Sequence, residues 1–224
     1  MTVVRRAATE ALGTAFLLMA IVGSGIMAER LAASNVALTL LANAIATGTA
    51  LAALIVTFAP ISGAHFNPAV TLAVAFDGGI SWCEVPGYLG AQITGAFAGV
   101  AGAHLMFALP LFFASRHVRS GPAQLLSESI ATFGLLLLIL SCSRARPSAV
   151  SWVVAAYITA AYWFTASTSF ANPAVTIARA ASDTFTGIRP ADVPGFVCAQ
   201  LVGAAAATLL ARWLVPVDEA NSVP

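Results

Sequence analysis

The stretch Asn67-Pro68-Ala69-Val70-Thr71 recurs letter for letter as Asn172-Pro173-Ala174-Val175-Thr176. Asn caps a helix by accepting its first free N–H groups. Pro fits the position after it, where a missing N–H is no loss. Each copy therefore starts a helix and carries an amide that can accept and donate at once. Non-helical runs precede both copies, Ile61 to Phe66 and Thr165 to Ala171. Two carboxylates, Glu10 and Glu128, lie inside apolar stretches, where an ionisable group invites a functional reading, proton coupling included. Other reactive chemistry has little to work with. There is no nucleophile–base pair and no His-Glu-x-x-His zinc motif, so an intramembrane enzyme is remote. Cys83, Cys142 and Cys198 are too scattered for a metal pair or a disulfide and read as free thiols in apolar surroundings. No metal and no cofactor is implied.

The elements that must hold these residues are membrane spans. Of 224 residues, 59% are hydrophobic and 8% charged, too few charges to cover a soluble surface. All ten basic residues are Arg and the net charge is +1, which gives no footing for nucleic acid or an acidic partner. The N-terminus has the outline of a signal peptide, but its apolar run reaches about 20 residues and contains Glu10, so it reads as a retained span. Six spans follow, roughly Ala7–Met27, Asn35–Phe58, Pro86–Leu109, Leu125–Cys142, Ser148–Phe164 and Pro194–Leu214. The first is closed by a break at Glu29-Arg30. The segments after Asn67 and Asn172 are about ten residues each, too short to span; meeting tip to tip they complete a seventh crossing. Trp82, Trp152 and Trp213 sit near span ends as interface anchors. Arginines fall on both sides in near-equal number, which leaves orientation open.

A repeat organises the chain. Glu10-x-x-Gly13-Thr14 answers Glu128-x-x-Ala131-Thr132. The Asn-Pro-Ala runs follow the second and fifth spans, and Ala91-Gln92-x-x-Gly95-Ala96 answers Ala199-Gln200-x-x-Gly203-Ala204. Three landmarks in the same order make two homologous halves, about 1–110 and 120–224, within one domain covering 1–224. Each half has three spans, so the halves lie inverted across the membrane, with the binding or conduction site near the midplane. Gly95, Gly99, Gly102 and Gly203 let spans approach closely.

Ser62 to Thr71, the second Asn-Pro-Ala copy and the paired Glu and Gln landmarks resemble the aquaporin (major intrinsic protein) family over essentially the whole chain. The resemblance implies an all-α membrane protein of six transmembrane helices plus two re-entrant half-helices, a homotetramer in a bacterial inner membrane. It also implies passive conduction of small neutral solutes and no enzymatic activity. Asn67, Pro68, Ala69, Asn172, Pro173 and Ala174 would then form the pore centre. Backbone carbonyls of the extended runs Gly63–Phe66 and Ser167–Ala171 would replace lost water. Half-helix dipoles would oppose cations and protons, as described for aquaporin-type pores. Glu10 and Glu128 would accept backbone hydrogen bonds from the loops, with Gln92 and Gln200 supporting. His65 would face the pore or brace its loop, and Phe66 and Phe170 could narrow the lumen. His104 has no evident partner, and Tyr157 and Tyr162 read as packing.

The filter departs from the family. Most members carry Arg directly after the second Asn-Pro-Ala; here it is Val175. Arg179 lies one turn further on and should not reach the same point without a rearranged loop. Spacing assigns Thr47, Ala160 and Ser169 to the other filter positions, each smaller than in water-selective members. A wide constriction without a fixed cation follows, with ion exclusion resting on the Asn pair. This pattern is similar to bacterial aquaglyceroporins associated with arsenic resistance, which implies glycerol-like polyols, uncharged metalloid acids and organoarsenicals, with water passing too. The alternatives are a water-selective pore and, more remotely, a proton-coupled transporter using Glu10 and Glu128.

Overall fold

Thr2 and Asn35 each turn a side-chain oxygen back onto the first turn of a helix, accepting from Arg5 N and Leu38 N. The helices they open are α1 (Val3–Leu31) and α2 (Val36–Ser62). After them come the short α3 (Pro68–Phe76) and the long α4 (Val85–Met106). The same order of long, long, short, long then repeats as α5 (Pro122–Ala145), α6 (Val150–Phe164), α7 (Pro173–Arg179) and α8 (Val193–Leu214). The computed structural model describes residues 1–215; the last residues of the second expected half, 216–224, lie outside the described residues.

Helix ends depart from the sequence reading at two points. α2 runs on through Ile61 and Ser62, expected to be non-helical. α1 continues through Glu29-Arg30 rather than breaking. Arg30 sits in the last turn, where a cation suits the carbonyl end of the helix, and its Nη2 reaches the Phe107 carbonyl at 3.1 Å. α2 stops where Gly63 adopts φ +90°, a left-handed turn that favours glycine.

Among the described residues four helical segments are long and apolar enough to cross a membrane by length and composition: α1, α2, α5 and Pro190–Leu214. α4 has the length, but its glycines, Gln92 and His104 dilute its hydropathy. The 15 residues of α6 rise about 22 Å, and the 3-10 turn Pro147–Ala149 lengthens it.

α1 packs on α4 and α5 packs on α8. A methyl group on Gly95 would run into the Ala11 backbone, and one on Gly203 into the Ser129 backbone, so both pairs close to near backbone contact. At one end Arg144 binds both Asp77 oxygens at 2.6 Å and the Ala211 carbonyl at 2.8 Å, tying α3, α5 and α8 together. Arg6 pairs with Glu84. The outer faces carry exposed Leu12, Phe16, Ile45, Val56 and Leu209, as lipid-facing surfaces do. Trp82, Trp152 and Trp213 are exposed near helix ends. All three cysteines are free; Cys83 and Cys198 are exposed rather than buried among apolar groups.

Candidate functional site

Two loops, 63–67 and 165–172, enter the interior from opposite halves. They are not simply extended. Ala64 and Phe66 have φ of 51° and 48°, and Thr168, Ser169 and Ala171 have 60°, 50° and 47°. Non-glycine residues persist in that region only when neighbours hold them there. The two buried carboxylates do the holding. Glu10 accepts from Ser62 Oγ (2.7 Å), His65 N (3.0 Å) and Phe66 N (2.7 Å). Glu128 accepts from Phe170 N (2.9 Å) and Ala171 N (3.0 Å). Gln92 Nε2 donates to Glu10 (2.8 Å) and to Thr71 Oγ1 (2.9 Å). Gln200 Nε2 repeats both bonds with Glu128 (2.6 Å) and Thr176 Oγ1 (2.8 Å). Each carboxylate is fully buried, yet its charge is met by aligned N–H groups.

α3 and α7 start back to back. Asn67 Oδ1 accepts from Ala69 N (2.9 Å), and Asn172 Oδ1 accepts from Ala174 N (3.0 Å) and Val175 N (3.3 Å). Their amide groups cross over. Asn67 Nδ2 donates to the Ala171 carbonyl and Asn172 Nδ2 to the Phe66 carbonyl, both at 2.8 Å. Each NH₂ has two hydrogens, so one donor per Asn remains for a third party. Both residues line a cavity of about 270 Å³ that runs between the halves.

The structure brings together most of the residues singled out from the sequence. Thr47, His65, Phe66, Ser169, Phe170 and Val175 line this cavity with the two Asn residues. His65 Nδ1 lies 3.1 Å from Thr71 Oγ1. Phe66 seats its ring beside Gly13, where any side chain would collide with it. Pro68, Ala69, Pro173 and Ala174 are buried in the first turns of the half-helices.

Ala160 does not join them. It is exposed on the outer face of α6. The cavity side of α6 carries Val154, Ile158 and Tyr162, four residues apart, and Ala160 falls on the opposite side. Tyr162 is therefore more than packing: its hydroxyl lies 3.2 Å from Thr47 Oγ1 across the cavity. The signal was the i, i+4 spacing of these large residues opposite exposed Trp152 and Trp163.

Arg179, one turn beyond Val175, also reaches the cavity. It lines the same cavity as Val175, and its guanidinium lies 3.4 Å from the centre of the Phe170 ring. A strap after α4 is bonded to the segment that follows α7. Phe113 N donates to the Ala181 carbonyl (3.0 Å) and Ser115 N to Ala180 (2.9 Å), holding 180–189 over α7. His104 is not partnerless: its ring nitrogens meet the Leu111 carbonyl (2.8 Å) after α4 and Ser182 Oγ (2.9 Å) in the 180–189 segment. Arg119 donates to the carbonyls of Gly187 (2.8 Å) and Ser167 (3.1 Å). Burial holds its guanidinium below its ordinary value. On the surface, the backbone and side chain of Arg116 donate to Asp183 and hold its carboxyl below the usual value. The Arg189 side chain, with the backbone N–H of Arg119, lowers Asp192 likewise.

A model of the major intrinsic protein family matches residues 1–158. This chain belongs to that family. Among other major intrinsic proteins it is 56% identical over 211 residues to aquaglyceroporin AqpS of Rhizobium meliloti (strain 1021), covering 94% of this chain and 90% of the relative. It is 40% identical over 93 residues to the glycerol uptake facilitator protein of Bacillus subtilis (strain 168), 36% of this chain and 34% of that protein. The solved aquaglyceroporin of Plasmodium falciparum shares the fold, with a TM-score of 0.76 over 99% of this chain and 100% of that one at 22% identity. With its apolar helices, family membership makes the chain a multi-pass integral membrane channel.

Proposed function

We propose that the cavity is a pore that passively conducts small neutral solutes. Glycerol-like polyols, uncharged metalloid acids and organoarsenicals are its solute class, and water passes as well. One observation carries this reading: the two Asn amides meet in a cavity of about 270 Å³, each with a donor to spare. One water needs about 10–15 Å³ of such space, so the lumen takes larger guests. Leu17, Ile21, Val150 and Ile158 add apolar lining to the same cavity. A solute that lost its water on entry would recover hydrogen bonds along one side only, as glycerol-shaped molecules require. Thr47, Ser169 and Val175 leave the constriction open. Asn67, Asn172 and the half-helix starts supply donors and positive potential at the centre, and the two halves, 1–110 and 120–224, lie inverted around it.

The chain is read as a channel and not an enzyme, assembled as a homotetramer in a bacterial inner membrane. The relatives named for glycerol transport support the polyol part of the solute class. Purified protein in liposomes tests the proposal. Osmotic swelling driven by glycerol, arsenite and a methylated arsenical should exceed that of empty liposomes and follow the solute gradient alone. Swelling by water only would favour a water-selective pore, and dependence on a pH gradient would favour proton coupling through Glu10 and Glu128.

A further inference from the structure

We infer that Arg179 is a selectivity residue of this pore, presenting a fixed cation and oriented N–H donors to the cavity beside apolar Val175. The inference rests on the channel reading above. Among the described residues four arginines form ion pairs: Arg6, Arg116, Arg144 and Arg189. Arg119 is spent on backbone carbonyls and on Thr168 Oγ1. Arg179 is different. It is only 1% exposed, joins none of the ion pairs, and donates only through Nε, to the Thr186 carbonyl. Nη1 and Nη2 have no acceptor among the described residues, and neither is among the buried atoms sealed off without a partner.

A buried guanidinium with no anion is costly, and proteins keep such groups where they act. Here the residue lines the lumen with those N–H groups uncommitted. Position 179 follows 175 by four residues on α7, so both share one helix face. Stacking on Phe170 at 3.4 Å fixes the guanidinium plane, and Glu128 fixes Phe170 through its backbone N–H. The fork is thus pre-set, as lysine's flexible ammonium would not be. Tyr162 and Thr47 hydroxyls complete a polar arc on the same cavity. The charge missing at position 175 is supplied from the next turn. Cation exclusion does not rest on the Asn pair alone, and solutes offering acceptor oxygens are met by Arg179.

Full-length Arg179→Gln and Arg179→Lys in liposomes test this, with glycerol and urea swelling and potassium current read on each preparation. Wild type should pass glycerol without potassium current. Arg179→Gln should raise potassium current at least about tenfold, the scale of one charge-assisted interaction. Arg179→Lys should stay closed to potassium while its glycerol-to-urea ratio shifts about threefold or more as the planar fork is lost. Arg179→Gln that passes glycerol and remains silent to potassium overturns the inference, as does a potassium leak in Arg179→Lys. If Arg179→Gln does not fold, the Lys variant decides: an unchanged solute ratio overturns the role. Wild-type protein that passes no solute overturns the channel reading instead.

Discussion

Replacing Glu128 by Gln separates a bracing carboxylate from a proton carrier. Three donors converge on Glu128: Phe170 N at 2.9 Å, Ala171 N at 3.0 Å and Gln200 Nε2 at 2.6 Å. A carboxamide has one acceptor oxygen and one donor NH₂. Gln200 can turn its own unpaired Oε1 toward the new amide. The backbone cannot turn, so one of the two loop N–H groups faces another donor in either amide orientation. Losing a charge-assisted bond costs about 1.5–3 kcal/mol, and an orphaned buried N–H adds about 1–3 kcal/mol. A net loss of about 3 kcal/mol follows, against a loop that holds three residues at positive φ. For a chain of this size, thermal unfolding in detergent should fall by about 6–12 °C. Glycerol permeability per inserted protein, from stopped-flow light scattering, should drop at least about tenfold as the loop relaxes. A proton carrier would respond otherwise: melting and downhill flux would stay intact while dependence on a pH gradient disappeared. Glu128→Gln protein with wild-type melting and wild-type flux would refute the bracing argument.

Val175→Arg should cut glycerol and metalloid flux about tenfold while water flux falls less, because the new side chain enters the cavity that Val175 lines at 2% exposure; an unchanged glycerol-to-water ratio in the swelling assay would contradict the open constriction. Asn67→Asp or Asn172→Asp should admit cations, since each replaces the spare lumen donor with a negative charge; conductance recordings that stay silent for both would count against the donor role. Gly203→Val should cost at least about 3 kcal/mol by forcing α8 off the Ser129 backbone, and a full yield of folded protein at wild-type melting temperature would reject that packing. Asp183 titrates below its ordinary value of 3.8 because of Arg116, so the strap contact is complete above that value and lost as pH falls through the lower folded one. Amide exchange at Arg116 N should accelerate only in that acid window, and protection that is constant down to pH 2 would dismiss the pairing.

Much of the fold could be read because lipid imposes simple rules. Long apolar runs marked the spans, and the doubled Asn-Pro-Ala copies marked both half-helices to within a residue of Pro68 and Pro173. The landmarks were read as repeats, Glu10 answering Glu128 and Gln92 answering Gln200, and the structure bonds them within each half, Gln92 to Glu10 and Gln200 to Glu128. What stayed hidden depended on helix phase and on loops. Counting residues along α6 put Ala160 at the cavity, whereas the 3.6-residue turn delivers Ile158 and Tyr162. The reach of Arg179 stayed open because it turns on loop structure, and the bonds of the strap at 113–119 to 180–189 are non-local. The positive φ values at Ala64, Phe66, Thr168, Ser169 and Ala171 carry no glycine signature. Tertiary hydrogen bonds impose them, and no local pattern announces that.

The crossed Asn amides have a consequence for how the molecule is made. The Phe66 carbonyl leaves the ribosome 106 residues before the Asn172 amide that will claim it. At usual synthesis rates that gap lasts about 5–20 seconds, long enough for a nascent first half to sit in the bilayer with its inner clasp undone. The last fastening is therefore a late event shared by two strangers in sequence. Severing the chain in the 107–121 linker and supplying both fragments together should yield working protein, whereas either fragment alone should remain prey to proteolysis.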